Sequence, residues 1–174
     1  MQVQEYLNSL PDDVTVINLS EKNLYKLPDL SRFYNLQILH CPHNELTTIP
    51  LLPSLKELHC EDNKLTSIPL LPRLTHLNCG YNQLTSIPVL PNLKELRCEE
   101  NVLTSIPVLP KLEELFCRCN KLTSIPLLPN LENLNCMFNK LISIPTIPSL
   151  KVLCCGYNKL TSIPMSVSYT HLRA

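Results

Sequence analysis

The sequence predicts a solenoid of short stacked units, with a parallel β-sheet on one side, an extended return path on the other and a short helix in front. Three observations predict it. Cys41, Cys60, Cys79, Cys98, Cys117, Cys136 and Cys155 recur at an unbroken spacing of 19 residues, and Leu36 to Leu150 and Asn44 to Asn158 keep the same step. Each unit reads L-x-x-L-x-C-x-x-N-x-L-T-S-I-P-x-L-P-x, in which x-L-x-C-x alternates with period two, the signature of a half-buried strand. The rest of each unit carries two prolines; proline fixes φ and lacks an N–H, so T-S-I-P-x-L-P cannot be a regular helix and suits a polyproline-like path. A repeat this regular decides the architecture before any local propensity does.

The elements follow in chain order. Residues 1–13 stand apart from the repeat: Val3, Tyr6, Leu7 and Leu10 form the i, i+3, i+4, i+7 stripe of a short amphipathic helix. Its expected role is to cap the first coil, because a solenoid's end otherwise exposes its core. The array proper spans 14–165 as eight units. The first is divergent and 22 residues long, with Val14, Ile17, Leu19, Leu24 and Leu27 in the apolar slots and Lys22 in the asparagine slot. Seven regular units follow, the last one cut short. Residues 166–174 include VSYTHLRA, which looks like the translation of an adapter used in sequencing libraries. Native sequence is therefore expected to end near Met165, within a longer natural protein.

The string L-x-x-L-x-C-x-x-N-x-L resembles the leucine-rich repeat, with cysteine in the third apolar slot. The short unit ending I-P-x-L-P is similar to LPX-type repeats of bacterial effectors, and L-x-C-x-x-N-x-L-T-S-I-P resembles repeat proteins of giant DNA viruses. The resemblance implies a right-handed leucine-rich repeat solenoid with its parallel sheet on the concave face and an extended, polyproline-like convex side. It also implies a module that binds other proteins.

With Leu36 as position one, positions one, four, six, eleven, fourteen and seventeen are expected to point inward. The cysteine ladder at position six then reads as core, since free cysteine behaves as a small hydrophobe. In-register neighbours lie near the ~4.8 Å strand spacing, too far for an easy disulfide. A straight ladder also supplies no tetrahedron for zinc. The asparagines are expected to satisfy backbone groups of adjacent coils. Cys119 and Cys154, at positions eight and five, are the thiols expected to meet solvent.

Composition narrows the function classes. The 174 residues carry 15 Lys+Arg and 15 Asp+Glu, and a net charge of zero argues against the phosphate-driven binding of nucleic acid. No apolar run approaches a membrane span. Nine cysteines without an export signal point to a reducing, cytoplasmic setting. Catalytic, cofactor and metal sites are not expected, nor is a small-molecule substrate. His40 and His59 share position five on adjacent coils, and with His43, His76 and Glu57 nearby they form the one conceivable metal or pH-sensing group.

The informative positions are those that vary on the concave face: three, five, seven and eight. They divide into two zones. Glu57, Glu61, Asp62, Glu95, Glu99, Glu100 and Glu114 stand against Arg97 and Arg118, so seven acids minus two bases leave a local charge of −5. Phe116, Met137, Phe138, Val152 and Tyr157 follow as an apolar zone in the last coils. Such a face suits a partner protein with basic and apolar features. The alternative is a substrate-recognition array within a larger ubiquitin-ligase-type effector, as the bacterial resemblance implies. In either case the chain itself is expected not to be an enzyme.

Overall fold

The computed structural model describes residues 3–163; the expectations for Met1, Gln2, Met165 and the tail 166–174 lie outside the described residues. Helix α1 covers Val3–Ser9. Eight three-residue strands follow: β1 Val16–Asn18, β2 Ile38–His40, β3 Glu57–His59, β4 His76–Asn78, β5 Glu95–Arg97, β6 Glu114–Phe116, β7 Asn133–Asn135 and β8 Val152–Cys154. They pair in sequence order as one parallel sheet. The register matches each residue with its equivalent one unit on, as in Leu39 with Leu58 and His40 with His59. The divergent first unit joins the same way, Ile17 opposite Leu39.

All six predicted inward positions are buried in the first six regular coils, as Leu93, Leu96, Cys98, Leu103, Ile106 and Leu109 show in one unit, while Leu160 and Ile163 of the last coil are half-buried. The central residue of each strand, Ile17 in β1 and leucine in the others, faces the core while its neighbours stay at the surface, the alternation expected of one buried sheet face. The return path contains no helix among the described residues, as its prolines require. Each regular coil closes with a turn in which the second proline has a specific job. Leu55 N–H donates to the Leu52 carbonyl at 3.0 Å across Pro53-Ser54. Pro53 occupies the second turn position, where its fixed φ is already correct.

Backbone pairing continues past the strands. Cys60 N–H donates to Asn78 O at 2.8 Å and Asp62 N–H to Gly80 O at 3.0 Å. The asparagine ladder then satisfies what remains. Asn63 Oδ1 accepts from Leu46 N–H of the preceding coil at 2.9 Å, and its Nδ2 donates to Cys41 O at 3.0 Å and Cys60 O at 3.1 Å. One amide thus ties its own bend to the coil before it, where the chain has left the sheet and backbone groups would go unmet. Lys22, in the first unit, has no such amide; Asn44 makes the usual reach back, to Leu24 N–H and Leu19 O, and also accepts from Lys22 N–H.

The short N-terminal helix packs on the array. Leu7 is buried, and Val3, Tyr6 and Leu10 pack against the core cluster. The longer first unit buries Leu30 and Phe33 through two successive turns, Phe33 N–H to Leu30 O and Leu36 N–H to Phe33 O, both 3.0 Å. Between them sits Arg32, a residue the repeat pattern does not single out. Its guanidinium bonds the Leu7 and Leu10 carbonyls and the Asp12 carboxylate, and stacks 4.4 Å from the Phe33 ring.

Candidate functional site

Position eight is where the chain leaves the sheet, and its backbone is unusual. Glu21, His43, Asp62, Tyr81, Glu100, Cys119, Phe138 and Tyr157 all have φ between 51° and 58°. None is glycine, the residue that adopts this left-handed region without a Cβ penalty. The bend is demanded by the coil, since it turns the following asparagine inward. The side chains at the bend are not demanded by it. They form a rim along the concave edge on which Tyr81, Phe138 and Tyr157 stand exposed. Sequence reasoning placed this rim at the surface but gave no sign of its backbone, because left-handed residues are normally flagged by Gly or Asn.

The apolar zone is built on this rim. Phe138 and Tyr157 stack with ring centroids 4.1 Å apart and 7° between planes. Met137 lies half-buried beside them and Val152 is exposed on β8. Phe116 takes a different partner: the Arg97 guanidinium covers its ring at 4.5 Å.

The acidic zone is more compensated than a count of charges implies. Arg97 is paired with Glu95, and Arg118 Nη2 lies 3.3 Å from Glu100. Asp62 pairs with His43 Nδ1 at 2.9 Å, and this hydrogen bond holds the His43 imidazole above its usual pKa. Glu99 is half-buried, and burial pushes its carboxyl up despite the nearby arginines. Glu61 places a buried Oε2 where no protein group among the described residues bonds it. Glu57 lies 4.0 Å from His59, and Glu114 Oε1 accepts from Asn133 at 3.2 Å. Lys64 of the flanking rim pairs with Glu45 rather than with the sheet.

His40 and His59 do approach, stacked at 4.6 Å and 19°. Burial, and secondarily His40, lower the pKa of His59. His43 is turned to Asp62 and His76 to Thr75 Oγ1 at 2.9 Å, so the wider group does not converge. Among the described residues no three His, Cys, Asp or Glu side chains gather as a metal site would require.

The nine cysteines are free, the seven of the ladder buried and Cys119 and Cys154 half-buried. Burial pushes the Cys41 thiol up to about 12 and those of Cys60, Cys98 and Cys117 well above the usual range. Cys119 is also raised, by burial and by the adjacent Glu100, which opposes the thiolate a nucleophile needs.

The convex side carries a feature that sequence reasoning passed over. Leu51, Leu70, Val89, Val108 and Leu127, the x of I-P-x-L-P, form an exposed apolar row across five coils, each 57–71% exposed. The signal was that this x is Leu or Val in five consecutive units, giving way to Thr146 only in the sixth. A hollow of about 600 Å³ near the start of this side is lined by residues 26–31, Thr48 and residues 50–52.

These coils can be placed among known proteins. The family model for leucine-rich repeats in two copies matches residues 34–73, 72–111 and 110–149. The chain belongs to the leucine-rich-repeat family. It is similar to YopM, a leucine-rich effector protein from Yersinia pestis, at 29% identity and a TM-score of 0.82, over 92% of this chain and 49% of that one. YopM from Yersinia enterocolitica WA-314 gives 28% and 0.75, over 92% and 42%. The functional domain of InlJ from Listeria monocytogenes, described as including a cysteine ladder, gives 31% and 0.64, over 86% and 40%. The chain spans less than half the length of each of these solved chains. No curated protein sequence matches it. Leucine-rich repeats present extended concave surfaces on which other proteins bind.

Proposed function

We propose that this leucine-rich-repeat array is a protein-binding module, not a catalyst, and that it engages its partner through the concave sheet and the left-handed rim beside it. One observation carries this reading. The bend at position eight would cost least with glycine, yet every coil places a full side chain there, at roughly 1–2 kcal/mol of backbone strain each. Strain kept at consecutive surface positions is best explained by what those side chains contact. The stacked Phe138 and Tyr157 supply a rigid aromatic anchor, and the carboxylates before them steer a partner with basic surface. A reducing, cytoplasmic setting fits nine free cysteines.

The test is a capture experiment with three baits: the wild-type chain, a Phe138→Ala/Tyr157→Ala variant and a convex-side Leu70→Ser/Leu127→Ser variant. Captured proteins are compared by quantitative mass spectrometry. The concave variant should lose partners that the convex variant retains. Equal capture by the wild-type and concave baits, with loss on the convex one, would move the binding surface to the I-P-x-L-P row.

A further inference from the structure

The concave face has one gap in its row of position-seven side chains. Glu61, Gly80 and Glu99 occupy that position on three consecutive coils. Where Gly80 lacks a side chain, a cleft of about 220 Å³ opens between the flanking glutamates. Glu99 leans into it: a Cβ built on Gly80 would lie 3.4 Å from the Glu99 carbonyl and 3.5 Å from Glu99 Oε2. Glu61 approaches from the other side. The charges of both carboxylates bear on Cys79, the residue before Gly80.

We propose that this notch is a pocket for the cationic head of a partner's arginine or lysine side chain. The proposal deepens the concave-face reading and rests on it for its biological partner. Two observations beyond the charges point to a ligand. Glu61 Oε2 is fully buried yet accepts no hydrogen bond from any described residue, and a buried unpaired carboxylate oxygen is costly. Glu99 is half-buried against its own charge, a cost that a cation between the two carboxylates would remove. Arg97 and Arg118 also line the cleft, but each is committed elsewhere, Arg97 to Glu95 and the Phe116 ring, Arg118 to Glu100. With those two carboxylates counted, the neighbourhood keeps an excess of two negative charges, those of Glu61 and Glu99. Tyr81 forms a further wall, against which the methylene stem of an arginine or lysine can lie. A guanidinium can meet opposed carboxylates with donors on both edges, so arginine should be favoured over lysine.

The protein supplies its own reporters. Gly80 and Gly156 are its only glycines, and both sit at position seven, but Gly156 follows Met137 rather than a carboxylate. Nα-acetyl-arginine methylamide, the lysine equivalent and the neutral citrulline equivalent are titrated while the backbone amides of Gly80 and Gly156 are followed by NMR. The arginine compound should shift Gly80 saturably and leave Gly156 in place, the lysine compound should do so more weakly, and citrulline should do neither. Glu61→Gln and Glu99→Gln should each weaken arginine binding tenfold or more. Gly80→Ala, whose φ is not in the left-handed region, should keep the fold by circular dichroism and abolish the shift read at the Tyr81 amide. Equal shifts with citrulline, or unchanged binding in Glu61→Gln, would overturn the proposal. If the arginine compound binds as stated while the Phe138→Ala/Tyr157→Ala bait captures everything the wild type does, the notch stands and the wider concave reading fails.

Discussion

Phe138 and Tyr157 stack face to face at 4.1 Å, although each stands on a left-handed backbone that strains it. The stack and the strain have one origin. The coil needs the bend at position eight, the bend projects its side chain from the concave edge, and the one-unit register brings two such rings to van der Waals contact.

Replacing a rim residue by glycine should therefore stabilise the fold while weakening binding. Tyr81→Gly relieves roughly 1–2 kcal/mol of left-handed strain, offset by roughly 0.5–1 kcal/mol of extra unfolded-state entropy. A net gain of up to ~1.5 kcal/mol is expected, read as a higher urea midpoint at unchanged slope. Phe138→Gly loses the stack, worth about 0.5–1.5 kcal/mol, and should come out near neutral. A destabilised Tyr81→Gly would mean that its ring supports the fold.

The asparagine ladder should be far less tolerant. Asn101 Oδ1 accepts from Leu84 N–H at 2.8 Å, and Nδ2 donates to Cys79 O, Cys98 O and Glu99 O at 3.0–3.2 Å. Asn101→Ala leaves these groups unmet in a buried bend, at roughly 1–3 kcal/mol for each one orphaned. A loss of about 3 kcal/mol or more is expected in chemical denaturation. Asn158, half-buried in the last coil, should lose less in Asn158→Ala because water reaches its partners.

Why some of this was legible and some was not follows from what a repeat encodes. The 19-residue step specifies register, because slipping a strand by one residue would turn Leu58 and Cys60 outward together. Burial of the ladders and exposure of Phe138 and Tyr157 followed from that. The pairing of Phe116 with Arg97 depends on side-chain reach across one coil, which an acidic or apolar label for a zone does not contain. The left-handed bend was hidden because the chain fills it with Tyr, Glu and Phe. Arg32 was hidden because it lies in the one unit that breaks the period.

The buried thiols predict alkaline instability. Cysteine ionises near ~8.5 when unfolded, whereas burial holds Cys41 protonated up to about 12 and raises Cys60 and Cys98 well above their usual range. Above the unfolded value the native state binds more protons than the unfolded one, so stability is complete below pH 8 and falls as pH rises toward 12. Urea midpoints between pH 7 and 10.5, under reducing agent, should fall less steeply for Cys60→Ala/Cys98→Ala than for wild type. At pH 7 each alanine should cost less than Leu96→Ala, for which ~2–5 kcal/mol is expected. Thiol reagents should label Cys119 or Cys154 before any ladder cysteine. Parallel pH profiles for the two proteins would refute the buried-thiol account.

Arg32 ties the cap to the array, and its loss should be felt locally. Its guanidinium donates to the Leu7 carbonyl, which also accepts from Leu10 N–H, and to the Leu10 carbonyl just past the end of the seven-residue helix. It also places positive charge where the helix dipole favours it. The Asp12 pair is exposed and adds little. Above β1 the cap holds Leu7 over the first coil, and Tyr6 Oη accepts from Asn18 N–H at 3.4 Å. Arg32→Ala should therefore release the helix without unfolding the array, since each coil depends chiefly on its immediate neighbours. Native-state hydrogen exchange should accelerate at Ile17 and Leu19 by about tenfold, the equivalent of ~1.4 kcal/mol of local stability, while Leu115 and Leu134 keep their wild-type rates. Arg32→Lys should recover part of the protection, because an ammonium can bond one carbonyl at a time but cannot fork between two. Equal acceleration at Leu115 would show that the cap stabilises the whole solenoid as one cooperative unit.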